Sequence, residues 1–310
     1  MKAFITGMNG FVGTHLSEHL VQNNFELFGA DKVSRPNSLA VQYEVDINDH
    51  EQMEKILADI RPEYLYHLAA PAFIPDSYER PVNTFRTILD ATLNILEIIR
   101  RKSPYTKLLY VGSSEEYGTY IGTPFTEEQL PLPCTPYAAA KAAASLICGQ
   151  YAAFYDVQVV RTRSFNHIGP GQSPQFVCSR IARQIAMIEK DSGARMEMGN
   201  LNSRRDFLDV RDVVRAYALI MRAEDNNGEV YNVCSGKSTA IQSVLDMFLD
   251  MTELRGRSGF EVVSTDQLRR FDNVEVCGNN SKLSEATGWE AEYPLSKTIK
   301  DTLKYWRDKV

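Results

Sequence analysis

The chain has 310 residues, 44% of them hydrophobic and 24% charged, with a formal net charge of −6. These are the proportions of a globular protein long enough to bury a large core in one or two domains. Acidic and basic residues are interspersed, which argues against a nucleic-acid or anionic-membrane surface, and no apolar run approaches the ~20 residues that span a bilayer. The first apolar run begins at Met1, so no signal peptide is expected. Cys134, Cys148, Cys178, Cys234 and Cys277 are scattered without a Cys-x-x-Cys pair. Reduced thiols in a cytoplasmic protein are expected, and no metal site.

The opening stretch is an apolar run, Ala3–Thr6, then Gly7-Met8-Asn9-Gly10-Phe11-Val12-Gly13, an amphipathic run to Asn23, and a second apolar run ending at Asp31. Strand, glycine turn, helix, strand and terminal acid are the parts of a dinucleotide-binding βαβ unit. Gly7 permits the tight turn, Gly10 lets backbone approach a pyrophosphate, and Gly13 lets helix and strand pack closely. The helix N-terminus offers free N–H groups and a positive dipole end to phosphates. Asp31 lies where a carboxylate accepts hydrogen bonds from an adenosine ribose. A carboxylate repels a 2′-phosphate, so NAD(H) is expected ahead of NADP(H), with Lys32 softening the preference.

A short apolar segment leads to Val45-Asp46-Ile47. Helical spacing then predicts His50–Ile60, and a buried strand follows at Tyr64–Ala70. Pro81–Lys102 reads as a long helix, Lys107–Gly112 as a strand, Tyr137–Tyr155 as a second long helix and Val157–Thr162 as a strand. This alternation predicts an α/β fold, a doubly wound parallel sheet of the Rossmann type. Beyond Ser164 a polar crossing, Asn166–Gln172, leads to a helix from about Phe176 to Glu189 and a charged loop to Arg205. Phe207–Ala223 is expected as helix, Glu229–Val233 as strand, Ile241–Met251 as helix and Leu295–Lys309 as a terminal helix. The expected division is a cofactor domain over 1–165 with segments returning near 207–235, and a smaller, discontinuous substrate domain mainly over 166–310.

Ligands of doubly wound sheets sit at the carboxyl ends of the strands. One such end carries Gly112-Ser113-Ser114-Glu115-Glu116-Tyr117-Gly118, and another carries Leu68-Ala69-Ala70. Tyr137 and Lys141 stand one helical turn apart on one face. An ammonium beside a phenol favours the phenolate and lowers its pKa toward working pH. A serine hydroxyl holds the substrate oxygen while the phenol exchanges its proton. Ser113, Tyr137 and Lys141 therefore suit hydride transfer between a carbinol or ketone and NAD(P). Without the glycine turn, a Tyr-x-x-x-Lys pair is a common helical coincidence.

The set Gly7-x-x-Gly10-x-x-Gly13, Asp46-Ile47, His67-Leu68-Ala69-Ala70, Ser113 and Tyr137-x-x-x-Lys141 resembles the extended short-chain dehydrogenases/reductases that act on nucleotide sugars, over nearly the whole chain. More narrowly, the stretches Gly112–Gly118, Phe165–Gln172, Arg205–Asp212, Val230–Gly236 and Thr287-Gly288-Trp289 resemble the GDP-4-keto-6-deoxy-D-mannose reductases, which form GDP-D-rhamnose. The resemblance implies that Asn9, Phe11, Val12, Asp46, Ile47, Leu68, Ala69 and Ala70 join the glycines and Asp31 at the cofactor. It implies that Lys141 reaches the nicotinamide ribose. It also implies that Ser114 and Asn166 contact the GDP-sugar, that Arg205 and Arg269 clamp its diphosphate with their guanidinium forks, and that Asp272 holds its ribose. His167 reads as structural, Cys234 and Trp289 as core, and Asp206 and Asp209 as residues that orient the arginines and cap the next helix.

Glu115 leaves two chemistries open. In the related GDP-mannose 4,6-dehydratases a glutamate at the matching position removes the C5 proton, whereas in a reductase it only hydrogen-bonds the sugar. Gly169-Pro170-Gly171, where dehydratases tend to carry an arginine-containing stretch, favours the reductase. An epimerase is a further relative of the dehydratase alternative. Ile88, where many relatives have asparagine, and Ala140, where serine is frequent, depart from the pattern. By the same resemblance, the two long helices pair across a homodimer.

Overall fold

The computed structural model describes residues 1–35, 39–119, 122, 124–191, 195–264 and 274–310. The chain begins β1 (Lys2–Thr6), α1 (Phe11–Gln22), β2 (Glu26–Asp31), β3 (Val41–Glu44), α2 (His50–Ile60) and β4 (Tyr64–His67). Two short helices, α3 (Ile74–Glu79) and α4 (Pro81–Phe85), and a π-helical turn at Arg86–Asp90 lead into α5 (Ala91–Lys102). Then come β5 (Lys107–Val111), a 3-10 turn at Ser114–Tyr117, α6 (Pro136–Tyr155), β6 (Val159–Ser164) and β7 (Asn166–Ile168). The remainder is α7 (Val177–Asp191), β8 (Arg195–Met198), β9 (Arg204–Asp209), α8 (Val210–Arg222), β10 (Val230–Val233), β11 (Ser238–Ala240), α9 (Ile241–Leu249), β12 (Glu261–Ser264), α10 (Ser281–Thr287) and α11 (Leu295–Lys309).

Among the described residues, seven strands form one sheet in the order β10-β6-β5-β4-β1-β2-β3, every pair parallel. This is the expected Rossmann-type α/β sheet. Parallel pairing sends all carboxyl ends to one edge, and the strand order reverses between β1 and β4, opening a crevice there. Both faces are covered, so the strands are apolar along most of their length. One face packs on α2, α5 and α6 through residues such as Met53, Leu96, Ile99 and Ala144. The other packs on α1, α8 and α10 through Leu16, Leu20, Val213, Tyr217 and Leu283. A third cluster joins α7, α9 and α11 to β8 and β9. The smaller sheets are β11-β9-β7 and β12-β8.

The expected helix over Phe207–Ala223 is corrected: Phe207–Asp209 belong to β9, and α8 begins only at Val210. Asp209 sets that boundary. Its side chain accepts the Arg211 N–H at 2.8 Å and caps the helix, as the sequence suggested. Asp206 does something else. Fully buried, it accepts the N–H groups of Ser235 (2.8 Å), Gly236 (3.0 Å) and Gly278 (3.2 Å) and the Ser235 hydroxyl (2.6 Å), pinning two distant loops to β9. Asp212 accepts the N–H groups of Glu292 (3.0 Å) and Tyr293 (2.9 Å). The long helix expected from Pro81 is divided by the π-helical turn, in which Ile88 is a core residue. The charged loop before Arg205 contains β8, which pairs with β12.

Asp206→Ala leaves the N–H groups of Ser235, Gly236 and Gly278 without their acceptor in a buried place. Unsatisfied buried groups cost about 1–3 kcal/mol each, less where water enters. A urea titration should show a loss of roughly 3 kcal/mol in unfolding free energy; an unchanged midpoint would contradict the role given to Asp206.

Candidate active site

Gly7 ends β1 at φ +71°, and a Cβ there would fall 2.9 Å from the Ala69 Cα at the end of β4. A Cβ on Gly13 would lie 2.4 Å from the Gly7 carbonyl oxygen and 2.6 Å from that of Met8. These two glycines let α1 press onto the turn. Gly10 differs: within 4 Å an added Cβ would meet only the Gly7 oxygen, at 3.2 Å, so its open side faces the cavity it lines. The first turn of α1 is Phe11-Val12-Gly13 behind a glycine N-cap, so its N–H groups and the positive end of the helix dipole point outward. That is a cradle for an anionic diphosphate, and these residues fit the dinucleotide that the fold implies.

At the far side of the turn, Asp31 Oδ2 accepts the Asn9 N–H at 3.0 Å and Oδ1 accepts the Lys32 N–H at 2.8 Å, so the carboxylate is held in place on the cavity wall. The Asn9 side chain is committed elsewhere, donating to the Val33 carbonyl (2.6 Å) and Gln42 Oε1 (3.1 Å), and it does not line the cavity. Asp46 does not line it either. Its carboxyl is held below the usual range first by the Asn48 N–H and also by the Lys32 ammonium 3.0 Å away. Ile47 is on the wall, with Leu68, Ala69, Ala70, Phe11 and Val12.

The cavity has a volume of about 750 Å³ and runs from the glycine turn to Ser113, Ser114, Glu115, Tyr137 and Lys141. Thr135 starts α6 by accepting the Ala138 N–H at 3.1 Å, with Pro136 in the first turn, and this places Tyr137 and Lys141 against the carboxyl end of β5. Tyr137 and Ser113 stand together on this cavity wall. Burial pushes the phenol well above its ordinary pKa; the neighbouring Ser113 side chain lowers it, and the Glu115 and Glu116 charges raise it. The lowering expected from Lys141 is therefore not what sets this phenol. The Lys141 ammonium turns to the Val111 carbonyl, donating to it at 2.7 Å, and burial brings its pKa down to about 8 against the opposing pull of Glu116. At rest Tyr137 is a protonated donor.

A second cavity of about 290 Å³ adjoins the first and shares Glu115, Asn166, His167, Gln172 and Phe176 with it. Arg205 lines this one, and its Nη1 donates to the Arg204 carbonyl at 2.8 Å. Arg269 and Asp272 lie outside the described residues. His167 has a structural partner, Tyr217 Oη at 3.3 Å, yet it also lines both cavities, and its Nδ1 has no hydrogen-bond partner among the described residues. Phe73 and Phe176 meet edge to face, with centroids 6.2 Å apart, across the two cavities. Thr87 in the π-helical turn and Arg180 on α7 are further wall residues that sequence reasoning missed. Phe73 follows the end of a predicted strand and was open to detection. Thr87 and Arg180 sit inside ordinary-looking helical runs and carry no such mark.

Residues 4–302 match the family model described as GDP-mannose 4,6 dehydratase. The chain is 31% identical to a GDP-6-deoxy-D-mannose reductase of Pseudomonas aeruginosa, over 100% of this chain and 98% of that protein. It is 27% identical to GDP-mannose 4,6 dehydratase 1 of Arabidopsis thaliana, covering 96% of this chain and 87% of the relative. The solved structure of RMD from Pseudomonas aeruginosa complexed with NADPH superposes with a TM-score of 0.87 at 31% identity, over 100% of this chain and 99% of that one. The sheet order, the glycine turn and these full-length likenesses agree: the chain belongs to the GDP-mannose 4,6 dehydratase family, among the extended short-chain dehydrogenases/reductases that act on nucleotide sugars.

Proposed function

We propose that this enzyme reduces the C4 ketone of GDP-4-keto-6-deoxy-D-mannose to GDP-D-rhamnose. The observation that carries the reading is the end-to-end likeness to a GDP-6-deoxy-D-mannose reductase, on a chain in which Ser113, Tyr137 and Lys141 meet on the wall of a cavity that starts at the glycine turn. A reduced nicotinamide bound in the larger cavity supplies the hydride equivalent. Tyr137, protonated at rest, donates its proton to the C4 oxygen as charge develops there, and the Ser113 hydroxyl hydrogen-bonds the same oxygen. Lys141, one turn along α6, holds positive charge near the phenolate that remains and reaches the cofactor ribose. Ser114 and Asn166 contact the sugar nucleotide, Arg205 and Arg269 hold its diphosphate and Asp272 its ribose. Ile47 completes the adenosine end.

In this reading residues 1–165 with 207–235 hold the cofactor, and the rest of 166–310 mainly the GDP-sugar. NAD(H) is the preferred cofactor, because Asp31 presents a fixed carboxylate at the adenosine end while Lys32 is engaged with Asp46. The five free cysteines suit a reducing cytoplasm. A homodimer is supported by apolar side chains left on the outer faces of the long helices: Leu146 and Phe154 of α6 are 61% and 75% exposed. A second reading, GDP-mannose 4,6-dehydratase, is favoured by one observation: Glu115 lines both cavities, within reach of whatever bridges them.

Purified protein given the 4-keto-6-deoxy sugar nucleotide should oxidise NADH or NADPH, with GDP-D-rhamnose as product; no oxidation of either sinks the reductase. Formation of a keto-sugar from GDP-mannose without added cofactor decides for the dehydratase. Tyr137→Phe should lower kcat by roughly 10²-fold or more, the scale of a lost general acid, with the cofactor KM little changed. Asp31→Ala should move the kcat/KM ratio toward NADPH by about tenfold, the effect of removing one like charge; an unmoved ratio contradicts the assignment. Gly10→Ala, at φ −72°, should leave thermal unfolding in place while weakening cofactor binding in a fluorescence titration by at least roughly tenfold.

A further inference from the structure

Directly beneath Ser113 the chain buries a carboxylate that lines neither cavity. Glu116 is 0% exposed. Its Oε1 accepts the Ser113 backbone N–H at 2.9 Å, and its Oε2 lies 3.5 Å from Arg163 Nε on β6. Arg163, itself buried, donates to the carbonyls of Glu127 (3.3 Å) and Gln129 (3.0 Å) and lies over the Tyr117 ring. The Glu116 carbonyl accepts the Leu132 N–H at 3.0 Å. Gly112 leaves room for the carboxylate: a Cβ there would fall 2.2 Å from Glu116 Oε1. The loop after β5, strand β6 and the segment before α6 therefore meet at this one pair.

An apolar side chain would fill a fully buried position without desolvating a charge, and an ion pair in such a place is weak support for stability alone. What the pair does achieve is conformational: it fixes the backbone of Ser113, which stands with Tyr137 on the cavity wall. We propose that Glu116 is a positioning residue, with Arg163 as its counter-charge, that holds Ser113 in line with Tyr137. The proposal rests on the reading of Ser113 and Tyr137 as the reacting pair. Burial raises the Glu116 pKa, the Ser113 N–H and the charges of Arg163, Lys141 and Arg161 oppose that rise, and the Glu116 charge in turn raises the Lys141 pKa against burial.

The test compares Glu116→Gln, Glu116→Leu and the charge-free pair Glu116→Leu with Arg163→Met, which keeps the question open to measurement if the single leucine variant does not fold. Glutamine retains an acceptor for the Ser113 N–H and should stay within about threefold of wild-type kcat. The leucine variants should lose roughly tenfold to a hundredfold in kcat, the scale of a small misplacement, with both KM values within about twofold. Hydrogen exchange at the Ser113 amide should quicken at least roughly tenfold in the leucine variants, while the Leu109 amide inside β5 stays protected. Exchange needs no sugar, so it separates the two readings: if wild type fails to reduce the keto-sugar but this pattern appears, the substrate is wrong and the positioning stands. Unchanged exchange at Ser113, or leucine variants with wild-type kcat, would overturn the proposal.

Discussion

A carboxylate taken out of water must be met by donors, and four such groups organise this protein around its strand ends. Asp206, Asp209, Asp212 and Glu116 are each no more than 2% exposed. Asp206 gathers N–H groups from the distant loops at 235 and 278 and Asp212 from the segment at 292, while Glu116 accepts the nearby Ser113 N–H and lies beside the Arg163 guanidinium. Asp209 caps α8, pairs with Arg211 and accepts the Thr298 hydroxyl at 2.6 Å. A misplaced loop leaves one of these acceptors unmet, so the alternatives are penalised and a single arrangement is favoured.

Around those anchors the two cavities are assembled from both halves of the chain. The crossing after β7 is latched to the glycine-turn helix, where His15 Nε2 donates to the Pro170 carbonyl at 2.9 Å and Gly169 and Gly171 pack near the Phe11 ring. On its other side the Ser179 hydroxyl donates to the Gln172 carbonyl at 2.6 Å, and Trp306 of α11 donates to Ser179 at 2.8 Å. Residues on the shared wall, Asn166, His167 and Gln172, are thereby held between the helix that cradles a diphosphate and the part of the molecule that carries Arg205. One ligand in each cavity would meet at Glu115, beside Ser113 and Tyr137.

The first half of the fold was readable because buried parallel strands and amphipathic helices leave different periods in the sequence. The glycine turn was readable because steric need restricts Gly7 and Gly13 to one residue type. Ser113, Tyr137 and Lys141 were readable as a pattern, but not their electrostatics: helical spacing puts Lys141 beside Tyr137, and only the tertiary position of the Val111 carbonyl shows where the ammonium turns. Phe207 and Leu208 read as the start of a helix because the pattern of a short buried strand merges with that of a following amphipathic helix; the aspartate at 209 is the boundary. Asn9 looked like a cofactor contact, yet its side chain is spent on the β2–β3 connection. The role of Asp206 depends on pairings across 29 and 72 residues that no local rule contains.

The central claim is that the hydride equivalent ends on C4 of a sugar already lacking its 6-hydroxyl. Deuterium-labelled reduced cofactor, incubated with the protein and GDP-4-keto-6-deoxy-D-mannose, tests this through the position of the label in the product by NMR. The account predicts one deuterium at C4 of the product for each cofactor oxidised. Label remaining in the cofactor, together with conversion of GDP-mannose to the keto-sugar by the protein alone, would contradict it.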